Sequence, residues 1–421
     1  MCYHNMYGLL GKKLQHSFSR EIHNYFGNSE YKLIETNNLK DFLENNSFKG
    51  LNVTIPYKTE IIPFLDELDV IARETNSVNT VINNDGKLIG YNTDYYGLKE
   101  TLSFNNVEVC GRKILIIGNG SVSKTVTKLC NDLNAERIIK ICRKTREKTD
   151  YLLLHYTDFL DSTIIINTTP VGMYPNNDDE LLIDISKFNK LEFVIDLVYN
   201  PLRTKLLVES EKLNIKTING LYMLVMQAKK AHELFFGIEL PLNLVNKIYN
   251  KVYNNYLNYV FIGLPLSGKT KYANVIGEIL SKITYDIDKY IENKHQKSIP
   301  IIFETEGEKS FRLYEKTAIQ ELYKLQNIAI STGGGLVENS KIMDLLKQNG
   351  IIIFLNKNPE IIAKKKIYGR PLLKDPKDII LLANNRIPMY RKHADITIDI
   401  SKTTEEHINE IKEKINEYIS R

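Results

Sequence analysis

The sequence predicts an α/β fold built on parallel sheets, on three observations. Short apolar runs alternate with helical patterns along most of the chain. The tight run Lys113–Ile117 ends at Gly118-Asn119-Gly120-Ser121-Val-Ser123, a glycine loop that opens a helix. The run Tyr259–Ile262 leads into Gly263-Leu-Pro-Leu-Ser267-Gly268-Lys269-Thr270, which fits G-x-x-x-x-G-K-[ST] without a mismatch, and an amphipathic stretch, Lys271–Leu280, follows. That strand–loop–helix setting is what gives a phosphate loop its meaning.

Taken in order, Met6–Leu10, Tyr31–Glu35, Leu51–Ile55, Val78–Ile82 and Leu88–Tyr91 are the apolar runs of the first hundred residues. After Lys113–Ile117 come buried-strand patterns at Arg137–Ile141, Ile164–Asn167 and Phe193–Asp196. Met223 to about Tyr253 has a helical pattern. The polar join Lys251–Asn258 is expected to be a helix end with a short connector. At 421 residues the chain has room for two to three domains. A net charge of +5 with 25% charged residues suits anionic small molecules and is too weak to argue for nucleic acid. Cys2, Cys110, Cys130 and Cys142 are scattered without a C-x-x-C and read as free thiols in a reducing compartment. No apolar run reaches the roughly 18 residues of a membrane span, and no basic segment precedes the first apolar residues, so a cytoplasmic location is expected. Lys364-Lys365-Lys366 reads as a solvated helix face.

The phosphate loop predicts an ATP site. Its N–H groups and the following helix N-terminus attract phosphate oxygens. Lys269 would reach the β- and γ-phosphates, and the Thr270 hydroxyl would hold Mg2+. Asp286-Ile-Asp288 closes the next apolar run and offers two carboxylates, one for Mg2+ and one for an acceptor hydroxyl. Phe311-Arg312 with Glu315 supplies an arginine suited to a carboxylate. Gly333-Gly334-Gly335 lets backbone approach a ligand closely. Arg370-Pro-Leu-Leu373 places an arginine where it could cover a transferring phosphoryl group. With Arg386-Ile-Pro-Met-Tyr390 and Ala394-Asp395, this ordered set resembles shikimate kinase over about 257–421. The resemblance implies that Asp288 contacts the accepting 3-hydroxyl and that Arg312 and Arg386 clamp the substrate carboxylate beside Gly333, Gly334 and Gly335. It also makes Arg370 the lid arginine. Gly263, Ser267, Gly268, Lys269 and Thr270 cradle the nucleotide, and Thr270 and Asp286 serve the metal.

In the first half, Gly118, Asn119, Gly120 and Ser121 match the dinucleotide fingerprint only loosely, since Ser123 stands at the third small position. About 20 residues on, where an NAD site carries an acid, the chain reads Cys142-Arg143-Lys144-Thr145-Arg146; a guanidinium there suits the 2′-phosphate of NADP. Eight motifs then appear in order: His16-Ser17-Phe-Ser19, His23-Asn24, Asn52-Val-Thr54-Ile-Pro-Tyr-Lys58, Val78-Asn79-Thr80, Asn92-Thr-Asp94-Tyr-Tyr-Gly97, Asn167-Thr-Thr-Pro-Val-Gly-Met173, Asp196-Leu-Val-Tyr199-Asn-Pro201 and Gly220-Leu-Tyr-Met-Leu-Val-Met-Gln227. Together they resemble shikimate dehydrogenase over about 6–252. The resemblance implies that Ser17, Ser19, Thr54, Asn79, Tyr199 and Gln227 bind shikimate and that Lys58 and Asp94 form the catalytic pair. Gly220 joins the cofactor set. A lysine ammonium is an apt donor to the alkoxide that ketone reduction creates. His16 and His23, among hydroxyl and amide neighbours, read as structural.

The expected architecture is therefore a substrate-binding α/β domain at 1–100, completed by helices near 221–252, a Rossmann domain at 101–220 and a phosphate-loop NTPase-like kinase domain at 257–421. The expected activities are NADPH-dependent reduction of 3-dehydroshikimate and MgATP-dependent phosphorylation of shikimate, with small-molecule substrates and neither nucleic acid nor membrane as partner. Two alternatives stand beside this: a front half that oxidises quinate or shikimate with NAD, or a non-catalytic ligand-binding front half fused to an active kinase.

Overall fold

A computed structural model describes residues 6–14, 17–147, 150–364 and 375–419. The chain divides into two compact units, 1–252 and 253–421.

The first unit holds two sheets. Strands β1 (Tyr7–Gly11), β2 (Lys32–Glu35), β3 (Gly50–Val53), β4 (Glu67–Leu68), β5 (Thr80–Asn84) and β6 (Lys87–Tyr91) form one of them, in the order β2-β1-β3-β5-β6-β4. It is mixed, against the parallel sheet that the alternation of runs suggests. The pairings β3–β5 and β5–β6 are antiparallel. The cause is local: Asp85 and Gly86 join β5 to β6 with positive φ at both (50° and 97°), the geometry of the tightest hairpin turns.

The second sheet is parallel throughout. Its strands β7 (Lys113–Ile117), β8 (Arg137–Cys142), β9 (Asp150–Leu152), β10 (Ile164–Asn167), β11 (Phe193–Asp196) and β12 (Lys216–Asn219) lie in the order β12-β11-β10-β7-β8-β9. Read from β9, this is the 3-2-1-4-5-6 order of a dinucleotide-binding sheet, with its crevice at the β7 switch point. Both faces are covered. Ile114, Ile116, Ile164 and Ile166 join one core, while Leu115, Ile117 and Ile165 join the other. Alternate residues of a strand face opposite ways, so strands buried on both sides must be apolar at every position, which is why these runs are legible.

The helical stretch expected over Met223–Tyr253 is two helices, Leu221–Phe236 and Leu242–Tyr256, separated at Gly237, whose φ of 63° ends the first. The expected connector shrinks to Leu257, because the second helix runs to Tyr256 and the next strand starts at Asn258.

In the second unit, β13 (Asn258–Ile262), β14 (Ile283–Asp286), β15 (Ile328–Ser331), β16 (Gly350–Asn356) and β17 (Ile396–Asp399) form a parallel sheet in the order β14-β15-β13-β16-β17. The phosphate loop leaves the central strand β13. Strands β4, β9, β12, β16 and β17 have no counterpart among the sequence-based expectations.

Candidate active sites

In the first unit the loops after β3 and β6 meet a helix that comes much later in the chain. Lys58 lies in the short helix Tyr57–Glu60, and Asp94 in the first turn of Thr93–Phe104. Both are buried, and Lys58 Nζ is 2.5 Å from Asp94 Oδ2. Asn79 Nδ2 donates to the other carboxylate oxygen, Oδ1, at 2.9 Å, and also to Thr93 Oγ1 at 3.0 Å and Gln227 Oε1 at 3.3 Å. Gln227 comes from the helix Leu221–Phe236, which packs along Thr93–Phe104. The pair is thus braced by Asn79, which Gln227 and Thr93 also contact, and both oxygens of Asp94 are committed. Ser17 Oγ donates to Ser19 Oγ at 3.1 Å. Burial raises the pKa of Tyr199, opposed by a hydrogen bond to Ser17, and its ring packs on Phe18 with centroids 5.0 Å apart. Thr54 follows β3, its N–H donating to Leu10 O at 2.9 Å. His16 lies outside the described residues. His23 is buried and stacked on Tyr31 at 3.9 Å, in a cluster with Phe26 and His232. Burial and the neighbouring His232 push its pKa down to about 3, so it sits as a neutral packed ring.

The glycine loop after β7 turns at Gly118, whose φ of 112° excludes most other residues; an added Cβ would also lie 2.5 Å from Thr168 Oγ1. Gly120 caps the helix Ser121–Asp132 without a side chain, and a Cβ there would meet nothing within 4 Å. The helix N-terminus therefore faces open space, as a diphosphate requires. Arg143 is exposed after β8. Gly220 precedes Leu221–Phe236, where a Cβ would lie 2.1 Å from Leu197 O, so close packing of two backbones accounts for this glycine. Asp196, quoted in the sequence motif Asp196–Pro201, was given no role of its own there. It is fully buried at the end of β11 and accepts from Thr204 Oγ1, Asn167 Nδ2 and the Val198 N–H, tying the loop after β10 to the one bearing Tyr199. Burial raises its pKa to about 7 against those three donors. The residue group of the first unit fits a dinucleotide: an open helix N-terminus, a glycine turn and an exposed guanidinium.

In the second unit a pocket of about 160 Å³ is lined by Gly268, Lys269, Thr270, Asp286, Asp288 and Ser331, among others. Gly268 has φ 103°, and a Cβ there would lie 3.1 Å from the Tyr272 ring, so the loop turns there as only glycine does easily. Gly263 and Ser267 are buried in the loop's base. Lys269 Nζ donates to Gly263 O at 3.0 Å and Leu264 O at 2.9 Å. Thr270 Oγ1 donates to Asp286 Oδ2 at 2.6 Å and lies 3.1 Å from Ser331 Oγ. A hydroxyl and a carboxylate together are the oxygen donors that a hard cation such as Mg2+ takes, so the donor set fits. Asp286 also caps the helix Ile287–His295, which puts Asp288 in that helix's first turn. Ser331 and Thr332 were absent from the sequence reading, although they fill the two positions between Ile328–Ile330 and the triple glycine.

The two arginines expected at the substrate carboxylate are both braced by acids. Arg312 bonds Glu315 Oε2 at 2.5 Å and Glu308 Oε1 at 3.0 Å, and Arg386 bonds Glu338 Oε1 at 2.8 Å. Burial raises the pKa of Glu315, opposed chiefly by the Arg312 guanidinium that bonds it. The triple-glycine loop lies against them: a Cβ on Gly335 would sit 2.5 Å from the Arg312 guanidinium and one on Gly333 2.3 Å from Glu315 Oε1. Tyr390 Oη donates to Gly334 O at 2.5 Å. Arg370 and the rest of the Arg370–Leu373 motif lie outside the described residues.

The fold and these sites define a two-lobed nicotinamide-type dehydrogenase joined to a phosphate-loop kinase. A family described as shikimate dehydrogenase substrate binding domain matches residues 9–81, and one described as shikimate kinase matches 265–416. A shikimate dehydrogenase (NADP(+)) of Clostridium perfringens is 35% identical over 58% of this chain and 97% of its own length. The crystal structure of a chorismate mutase/shikimate 5-dehydrogenase fusion protein from Clostridium acetobutylicum aligns at 31% identity and TM-score 0.55, covering 59% of this chain and 97% of that one. A shikimate dehydrogenase in complex with NADP+ aligns at 34% identity and TM-score 0.51, covering 60% and 97%. The chain belongs to the shikimate dehydrogenase family and carries a shikimate kinase domain after it. No helix among the described residues is long and apolar enough to cross a membrane.

Proposed function

We infer that this is a bifunctional enzyme of the shikimate pathway. Its first unit reduces 3-dehydroshikimate to shikimate with NADPH, and its second converts shikimate to shikimate 3-phosphate with MgATP. The observation that carries the first activity is the buried Lys58–Asp94 pair, 2.5 Å apart and fixed by Asn79. A domain that only sensed a ligand would have no use for a buried acid–base pair with both carboxylate oxygens engaged.

The proposed division is 1–100, with helices near 221–252, for substrate, 101–220 for NADP(H) and 257–421 for the kinase. Bound NADPH supplies the reducing equivalent. Lys58 Nζ holds the proton that the carbonyl oxygen takes as its charge develops. Asp94 Oδ2 orients that ammonium, and Asn79 keeps Oδ2 turned to it by occupying Oδ1. Ser17, Ser19, Thr54, Tyr199 and Gln227 hold the substrate. Gly118, Asn119, Gly120, Ser121 and Gly220 line the cofactor's path, and Arg143 meets its 2′-phosphate.

In the kinase unit, MgATP supplies the phosphoryl group. The Gly263–Thr270 loop binds its phosphates through backbone N–H groups and Lys269, and Thr270 with Asp286 serves the metal. Asp288 receives the acceptor hydroxyl. Arg312 and Arg386 hold the substrate carboxylate against Gly333–Gly335, and Arg370 covers the transfer. Catalysis there is positioning plus charge stabilisation. The metabolic character of both domains and the scattered cysteines support a cytoplasmic location.

The test uses the purified full chain. Shikimate-dependent NADP+ reduction at 340 nm should exceed that with NAD+ or quinate, and ADP release from ATP should require shikimate. Intact phosphorylation with no reduction by either cofactor would replace the dehydrogenase reading with that of a ligand-binding domain.

A further inference from the structure

A buried acid lies beneath the basic turn that follows β8. Asp150 opens β9, and its side chain has no solvent exposure. Its Oδ2 accepts three hydrogen bonds, from Asn119 Nδ2 at 2.9 Å, Arg146 N–H at 2.9 Å and Glu147 N–H at 3.2 Å. Its Oδ1 is 3.3 Å from Lys140 Nζ, and Lys140 also pairs with Glu147. Asn119 Nδ2 donates a second bond to Lys144 O at 2.9 Å. One carboxylate therefore gathers the backbone of the turn 143–147 and ties it to the middle residue of the glycine loop. Arg143, Lys144 and Arg146 themselves point into solvent. Burial alone would raise the pKa of Asp150; the donors from Asn119, Arg146, Glu147 and Lys140 outweigh it and hold it low.

We propose that Asp150 is the positioning residue for NADP over NAD: it fixes the backbone from which the basic side chains meet the 2′-phosphate. An acid at the end of β8 would take the ribose hydroxyls of NAD. Here the acid enters one strand later, faces inward, and spends its charge on the turn. Flexible arginines recognise a phosphate well only when their backbone is already placed, because ordering them on binding costs affinity. The 2′-phosphate is the one group that separates the two cofactors, so loss of the brace should be felt through NADPH and hardly through NADH. The proposal rests on the cofactor reading given above.

The test is binding of NADPH and of NADH to the full-length protein, followed by nucleotide fluorescence without substrate, in wild type, Asp150→Ala and Asp150→Asn. Asp150→Ala should weaken NADPH about tenfold and NADH less than twofold. Asp150→Asn keeps an acceptor for the Arg146 and Glu147 N–H groups and should lie between. In turnover the same split should appear as a raised KM for NADP+ with kcat nearly unchanged, and the kinase activity of the same samples reports their integrity. If Asp150→Ala does not yield folded protein by circular dichroism, Asp150→Asn carries the same expected direction. Equal weakening of both cofactors, or no change in NADPH binding, would overturn the proposal. A wild type that binds neither nucleotide would overturn the cofactor reading, and the proposal with it.

Discussion

The two candidate sites are built by opposite strategies. In the dehydrogenase unit the working groups come from far apart: Lys58 and Asp94 are separated by 36 residues, and Asn79 and Gln227 by 148. Each is buried, and they are bonded in a chain, Lys58 to Asp94, Asp94 to Asn79 and Asn79 to Gln227. In the kinase unit most of the expected phosphate-binding set is one contiguous loop, Gly263 to Thr270, completed by Asp286 and Ser331 from the ends of neighbouring strands. The difference follows from the chemistry. Moving a proton to a developing alkoxide needs a charged pair that is held still and out of water. Receiving a nucleotide needs a cradle of backbone donors, which one short loop can supply.

The comparison can be broken by removing one lysine from each site. Lys58→Ala should lower dehydrogenase kcat by about 10³-fold and leave shikimate-dependent ADP release within about twofold, since the two lie in different units. Loss of both activities would mean that the pair is needed for folding rather than for proton transfer. Lys269→Ala should do the converse, lowering phosphorylation by about 10²–10³-fold and sparing NADP+ reduction at 340 nm.

Arg386→Ala sharpens the comparison inside the kinase. Its partner Glu338 is 47% exposed, so water can satisfy the stranded carboxylate. The expected result is a rise of about 10–100-fold in KM for shikimate, the worth of one charge-assisted contact, with a smaller change in KM for ATP. Equal changes in both would remove Arg386 from the substrate set.

The smallest effect concerns stability and belongs to the dehydrogenase unit. Burial depresses the pKa of His23 to about 3 in the folded chain, whereas an unfolded histidine titrates near 6.5. The folded state therefore gains full benefit above about pH 6.5 and loses it as pH falls toward 3. His23→Phe keeps an aromatic ring among Phe26, Tyr31 and His232 and removes the proton site. Relative to its own pH 7 value, the variant should retain about 2–3 kcal/mol more of its stability at pH 4.5, read by urea unfolding of tyrosine fluorescence. Parallel pH profiles for variant and wild type would show that His23 does not carry the acid limb.

Legibility in the sequence divides along the same line. Runs such as Ile114–Ile117 and Ile164–Ile166 are buried on both faces and announce themselves by being apolar at every position. The strands Glu67–Leu68, Asp150–Leu152 and Lys216–Asn219 are short and part polar, and they become strands only because a neighbour pairs with them. The phosphate loop could be read whole, for its residues are adjacent. Ser331 was missed because its meaning lies in the 3.1 Å approach to Thr270 across the sheet. Asp196 and Asp150 look like ordinary strand-end acids until the donors around them are seen.

The sequence by itself determined which chemical groups this protein owns and which local turns it makes: a lysine beside a proline turn, glycines where φ is positive, and an apolar code for three sheets. Tertiary structure alone decided that the first sheet is mixed, that Arg312 pairs with the buried Glu315 and Arg386 with Glu338, and that Asp150 turns inward under the basic turn. The physical reason is range. Backbone preferences and side-chain periodicity act over a few residues and are written locally. The pairing of a buried charge is set by whichever distant donors the packed core brings within hydrogen-bonding distance, because a charge left unpaired there costs more than the fold can spare.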